Sequence, residues 1–195
     1  MREAVRQADV VLVSHHAHEM KGTDKSKPAD FIQEFAHFCI DQGAHAYIGH
    51  GPHILRGIEI YHGQPIFYSL GNFIFQNDTV ESQPHEFYEN YDLGSHHTPA
   101  DAYDAREAGG TKGLAADRQV FESVIASFEW EGGSTRTIKL HPVTLGFGLT
   151  RSRRGKPELA SHADAEKILE DLSQLSAPFG TMIRNEDGIG RIEIE

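Results

Sequence analysis

Two short apolar runs, Val10 to Val13 and Ala46 to Ile48, each end in a histidine-bearing segment. The first leads into Ser14-His15-His16-Ala17-His18-Glu19 and the second into Gly49-His50-Gly51-Pro52-His53. Between them Phe31, Ile32, Phe35, Ala36, Cys39 and Ile40 recur at helical spacing. Pro28 suits the first turn of that helix, and Gly43 falls where a left-handed terminus belongs. Continuously apolar strands belong inside parallel sheets, where both faces are covered. Residues 8 to 50 therefore predict a β-loop-α-β unit with a right-handed crossover, and an α/β fold class. The first strand has no neighbours in the residues before it, so the chain is expected to be the back portion of a longer protein or to be completed by another polypeptide.

Side chains leaving the carboxyl ends of parallel strands face the crevice where open α/β sheets bind ligands. Imidazole is the commonest metal-binding side chain, so histidines at two such strand ends predict a metal site. Strand alternation turns His16 and His18 to one side and His15 to the other. Gly49 and Gly51 permit close backbone approach, and Pro52 stiffens the turn. His50 and His53, three residues apart, can converge on one ion or serve two adjacent ions. Taken alone, Gly49 to His53 reads equally well as a surface turn that happens to contain histidine. His15, His16, His18 and Glu19 leaving one strand together are harder to read that way. His37, His45 and His62 read as structural or surface residues, and His96 and His97 as solvated.

Downstream, Gly57 to Tyr61 and Pro65 to Leu70 flank His62-Gly63-Gln64 as a hairpin, and Gly71 to Phe75 continues or follows it. Residues 76 to 118 are polar and lack a sustained period. They read as a lid, a partner-binding insertion or a disordered stretch, and are expected to be the most mobile or extended part of the chain. Residues 119 to 195 predict a second hairpin, Val120 to Trp130 with Thr135 to Val143 around Gly132-Gly133. An amphipathic helix from Ala163 to Leu175 follows, capped by Ser161, and a terminal strand pair closes the chain, Thr181 to Arg184 with Arg191 to Ile194. The division is thus 1–75, 76–118 and 119–195.

The 195 residues are 38% hydrophobic, which suits a globular protein with one sizeable core. A net charge of -11, with basic residues scattered except for Arg151, Arg153, Arg154 and Lys156, argues against nucleic acid as a partner. The single Cys39 cannot form an internal disulfide. No apolar run approaches membrane-spanning length, and Met1 to Val5 lacks the apolar core of a signal peptide, so the default expectation is cytoplasmic.

Three blocks carry a family resemblance: Val11-Leu12-Val13-Ser14-His15-His16; Asp41 through His53; and Gly57-Ile58-Glu59-Ile60-Tyr61 with Pro65 through Phe75. In this order they closely resemble the CapA family of poly-γ-glutamate capsule biosynthesis proteins. Residues 151–160 and 175–181 are similar to the C-terminal extension of some bacterial members. The resemblance implies the C-terminal part of a four-layer α/β/β/α metallophosphatase-like (calcineurin-like) sandwich, with a C-terminal α+β extension. It also implies a centre of two divalent transition metal ions, Mn, Fe or Zn, with His16, His50 and His53 as ligands. His18 and Glu19, beside a ligand, are the candidate proton-handling groups. Ala17-His18 stands where the family has Trp-Gly, and Gly51 where it has a middle His. The family's N-terminal Gly-Asp, Gly-Asn-Leu-Glu and Asn-Asn-His blocks have no counterpart, so the centre is expected to be incomplete without an N-terminal half. The activity implied is metal-dependent hydrolysis, on an anionic polymer or a small phosphorylated or peptide substrate. A non-catalytic accessory module for polymer export or assembly, and a metal-dependent peptide epimerase, are the alternatives.

Overall fold

The computed structural model describes residues 1–131 and 134–194, so the Gly132-Gly133 turn lies outside the described residues. The order is α1 (Arg2–Gln7), β1 (Leu12–His16), β2 (Met20–Lys21), β3 (Asp24–Pro28), α2 (Asp30–Asp41), β4 (Ala46–His50), β5 (Leu55–Tyr61) and β6 (Gln64–Leu70). Then come α3 (His85–Glu89), α4 (Pro99–Glu107), β7 (Glu122–Glu131), β8 (Ser134–Thr144), β9 (Glu158–Leu159), α5 (His162–Ser176), β10 (Arg184–Glu186) and β11 (Ile189–Glu193).

The first sheet has the order β1-β4-β6-β5, and the second β10-β11-β8-β7 with β9 beside β8. β1 and β4 run parallel, as do β4 and β6, while β5 returns antiparallel to β6. The protein is thus α/β, with the predicted β-loop-α-β unit present. His62 and Gly63 make the two-residue turn between β5 and β6, both at positive φ, as such hairpin turns require.

β6 shows how the layers form. Ile66 and Tyr68 join a core with Ile32, Ala36, Cys39 and Ile40 of α2. Phe67, pointing the other way, joins a second core with Val124, Ile138, Leu140 and Ile192 of the second sheet. Period-two alternation on one strand therefore holds α2 on one face of the first sheet and the second sheet on the other. Ile168, Leu169 and Leu172 of α5 enter the same second core, and α5 packs along β5 and β8. The sheets are stitched where Gly71 bridges Ser123 and the Ser123 hydroxyl donates to the Leu70 carbonyl at 2.7 Å.

Several local readings shift. The polar stretch Lys21 to Lys27 folds back as the β2–β3 hairpin. Pro28 ends β3 instead of opening the helix, which begins at Asp30. β1 starts two residues later than the apolar run suggests, so His15 and His16 sit within the strand. It is also an edge strand: Val10 is 43% and Leu12 52% exposed. The stretch 76–118 carries α3, α4 and two 3₁₀ turns at Asn77–Thr79 and Gly113–Ala116. α4 has a Thr98/Asp101 capping box and buries Ala102 and Tyr103. Arg151 and Arg154 of the basic loop pair with Asp104 and Glu107 of this helix, so they are not a free polyanion patch. Among the described residues, no helix is long and apolar enough to cross a membrane.

Candidate functional site

β1 and β4 are in register so that His16 lies beside His50 and Ser14 beside Ile48. His15, alternating away, hydrogen-bonds the Tyr47 hydroxyl at 2.5 Å and meets the Phe35 ring of α2 edge-on. His16 points to the opposite face, as alternation predicts. Its Nδ1 lies 2.9 Å from His50 Nδ1, and its Nε2 lies 2.9 Å from His18 Nε2. Ser14 Oγ lies 2.9 Å from His50 Nε2.

These four groups form one continuous hydrogen-bonded chain, Ser14–His50–His16–His18. With every imidazole neutral, each ring has one N–H and one lone pair. The chain is satisfied if Ser14 donates to His50, His50 to His16 and His16 to His18, or if all are reversed. Protonating one ring charges its neighbours' surroundings. The His50 pKa is lowered, first by burial and then by His16 and His15, which favours its neutral form.

His53 adopts φ 65° and its ring lies 5.7 Å from that of His18. Its Nδ1 is 2.9 Å from Asn72 Oδ1, so Nδ1–H donates there and Nε2 is left as a lone pair. Asn72 is itself held, its amide donating to the carbonyls of Val120 at 2.9 Å and His53 at 3.3 Å. A histidine whose second nitrogen is fixed by a hydrogen bond is oriented as metal-binding histidines are.

Two glycines set this geometry. A Cβ on Gly49 would lie 2.4 Å from the Tyr68 carbonyl, and one on Gly51, at φ 122°, would lie 2.9 Å from that of Ala17. Backbone could not yield at either place without moving His50. Arg56, only 1% exposed, braces the loop from behind. Its guanidinium donates to the carbonyls of Lys25 at 2.9 Å, Glu19 at 3.0 Å and His18 at 3.4 Å. Burial lowers its pKa, opposed by Glu19. The Glu19 side chain is exposed.

Among the described residues, no group of three or more His, Cys, Asp or Glu side chains is arranged to hold a metal ion. His16 spends its two nitrogens on two different neighbours, whereas an ion about 2.0–2.1 Å from each ligand needs one nitrogen per ring aimed at a common point. The donor chemistry nevertheless suits an imidazole-binding ion: clustered imidazoles, one with a lowered pKa and another oriented by an amide. His16, His18 and His50 are brought together, with His53 beside His18. Ser14, Asn72 and Arg56 escaped the sequence reading. A serine alternating with His16 was the signal for the first, and the Gly-Asn pair after a strand for the second. An arginine within an apolar strand was the signal for the third.

An α/β protein with imidazoles clustered at the carboxyl ends of adjacent parallel strands is the class defined so far. Residues 1–77 match the family described as bacterial capsule synthesis protein PGA_cap. The uncharacterized proteins y4sH and y4uA of Sinorhizobium fredii are each 41% identical over the whole chain, which spans 43% of their length. The PGA biosynthesis protein CapA of Bacillus subtilis is 44% identical over 73 residues, 37% of this chain and 18% of that protein. The resemblance to the CapA family is supported over this first part, which contains every histidine of the cluster.

Proposed function

We propose that this chain carries the histidine side of a two-metal hydrolase centre serving poly-γ-glutamate capsule biosynthesis, within a metallophosphatase-like four-layer sandwich. The observation that carries the reading is the meeting of His16, His18 and His50 at the ends of β1 and β4, beside an Asn72-oriented His53. His16, His50 and His53 would hold the metal, Mn, Fe or Zn being the ions suited to imidazole. When bound, such ions act as Lewis acids and lower the pKa of water. With one nitrogen each on the metal, His16 and His50 would no longer relay a proton, and His18, exposed beside them, would exchange one with solvent or substrate. Glu19 is the second candidate for that exchange. Arg56 fixes the His18–Glu19 backbone, and Asn72 fixes His53.

Further ligands would come from a polypeptide that pairs with the open edge of β1. The exposed Val10 and Leu12, and the exposed Phe31, Phe35 and Phe38 of α2, support such a neighbour. An accessory role in polymer export or assembly, and a metal-dependent peptide epimerase, are the alternative readings. Metal analysis of the purified protein tests the first reading. Bound transition metal that falls at least tenfold in His50→Ala supports it, and equal content in both proteins overturns it. With the completing polypeptide present, turnover of an aryl phosphodiester should rise. Metal retention without hydrolysis but with stereochemical inversion of a glutamyl peptide would favour the epimerase.

A further inference from the structure

A cavity of about 220 Å³ lies between the β2–β3 hairpin and the 76–118 segment, walled by Lys25, Asn77, Arg106, Glu107, Gly113 and Leu114. We propose that it is an anion subsite that holds a carboxylate of a γ-linked glutamyl chain beside the histidine cluster. The idea rests on the proposed polymer-directed function and adds where the polymer would lie.

Three observations carry it. First, Lys25 and Arg106 both face the cavity, and neither forms an ion pair among the described residues. Arg106 is held by aromatic faces instead, its guanidinium carbon 5.9 Å from the Phe87 ring centre and 6.0 Å from that of Tyr103. A guanidinium placed this way keeps its donor fork free, and that fork matches a carboxylate. Asn77 supplies an amide beside the two cations. Second, the one acid in the wall is compensated: Glu107 is buried and pairs with Arg154 at 3.8 Å.

Third, the cavity is tied to the histidines by two routes. Arg56, which donates to the Lys25 carbonyl, also donates to those of His18 and Glu19. A narrow neighbouring cavity shares Asn77 and Glu107 and reaches Phe75, whose ring lies 6.2 Å from that of His53. The volume is below the roughly 300–1,000 Å³ of sites that swallow a whole ligand. One acidic unit of a longer chain suits it better than a free cofactor. In a chain of net charge -11, two cations converging on one cavity offset locally the repulsion that a polyanion meets.

The test is titration of the full chain with γ-linked triglutamate, its fully amidated counterpart and inorganic phosphate. The side-chain amide signal of Asn77 is followed by NMR to locate binding. Triglutamate should bind and shift Asn77, and the amidated peptide should not. Lys25→Gln and Arg106→Gln should each weaken affinity by about two- to fivefold, as expected for exposed charges. Lys25→Arg should restore it. Lys25 is exposed and touches no core, so Lys25→Gln remains informative should Arg106→Gln unfold α4. Equal affinity in both Gln variants, equal binding of the amidated peptide, or tighter binding of phosphate than of triglutamate overturns the proposal. The titration is repeated in His16→Ala/His50→Ala. Unchanged triglutamate affinity there leaves the subsite standing even if the metal analysis goes against the hydrolase.

Discussion

β1 and β6 look alike in the sequence and differ in the fold. Val10 to Val13 and Pro65 to Tyr68 are both unbroken apolar runs, yet β6 is covered on both faces and Leu12 of β1 is 52% exposed. β6 lies between β4 and β5, with α2 above and the second sheet below; among the described residues β1 has a neighbour on one side only. An apolar run therefore reports a demand for cover, not its supply. Where the demand goes unmet, the chain has an edge whose free N–H and C=O groups can template another strand. The histidine cluster grows out of that edge, so a half-exposed strand carries the candidate chemistry, two places across the sheet from the well-covered β6.

The sharpest way to break this contrast is to truncate matching residues. Phe67→Ala should cost about 3–5 kcal/mol, since it empties the space between the two sheets. Leu12→Ala should stay within about 0.5 kcal/mol, as for an exposed position. Urea denaturation of both variants reads the difference, and similar costs would mean β1 is covered in solution.

Next in size is Arg56, which belongs to neither extreme. Arg56→Met should cost about 1–3 kcal/mol, because carbonyls it satisfies lose their donor in a buried place. It should also broaden the His18 ring signals in NMR spectra. Broadening without loss of stability would show a brace for the loop alone; loss of stability without broadening would show the reverse.

Leu12→Lys addresses the edge itself. It should change stability little and lower self-association at high concentration, because lysine on an edge strand blocks further pairing. Unchanged light scattering would mean the edge is not sticky. The smallest expected effect is acid sensitivity. His50 has a folded pKa below its ordinary value of 6.5. The unfolded chain therefore takes up the proton first as pH falls. Its contribution is fully present above about 6.5 and is lost between there and the lower folded pKa. His50→Ala should flatten that part of the pH–stability curve, and an unchanged slope there would assign it to other groups.

Much of this was legible in the sequence because it rests on local periodicity. The α2 stripe, the Ser161-capped α5 and the His62-Gly63 turn follow from spacing and turn chemistry alone, and so does the opposite facing of His15 and His16. What was not legible depends on partners distant in the chain. β1 reads as interior from its apolarity, and the want of a neighbour in the residues before it was legible too, but its start at Leu12 and its register on β4 were not. The β2–β3 hairpin hides in a polar stretch because Arg56, 31 residues beyond Lys25, holds it. α4 hides because its signal is a single capping box and its apolar positions are few. The histidine chain was half visible: the rings were countable, but Ser14, Asn72 and the shared contacts of His16 needed the register of β1 on β4.

His53 sits at φ 65°, a backbone region that costs a non-glycine residue roughly 1–2 kcal/mol. A turn that merely had to reverse direction would do better with glycine there, and His53→Gly is the substitution that a screen for heat resistance alone would favour. A screen for whatever the imidazole does would refuse it. Sequences selected under the two pressures should part company at this position before any other in the loop.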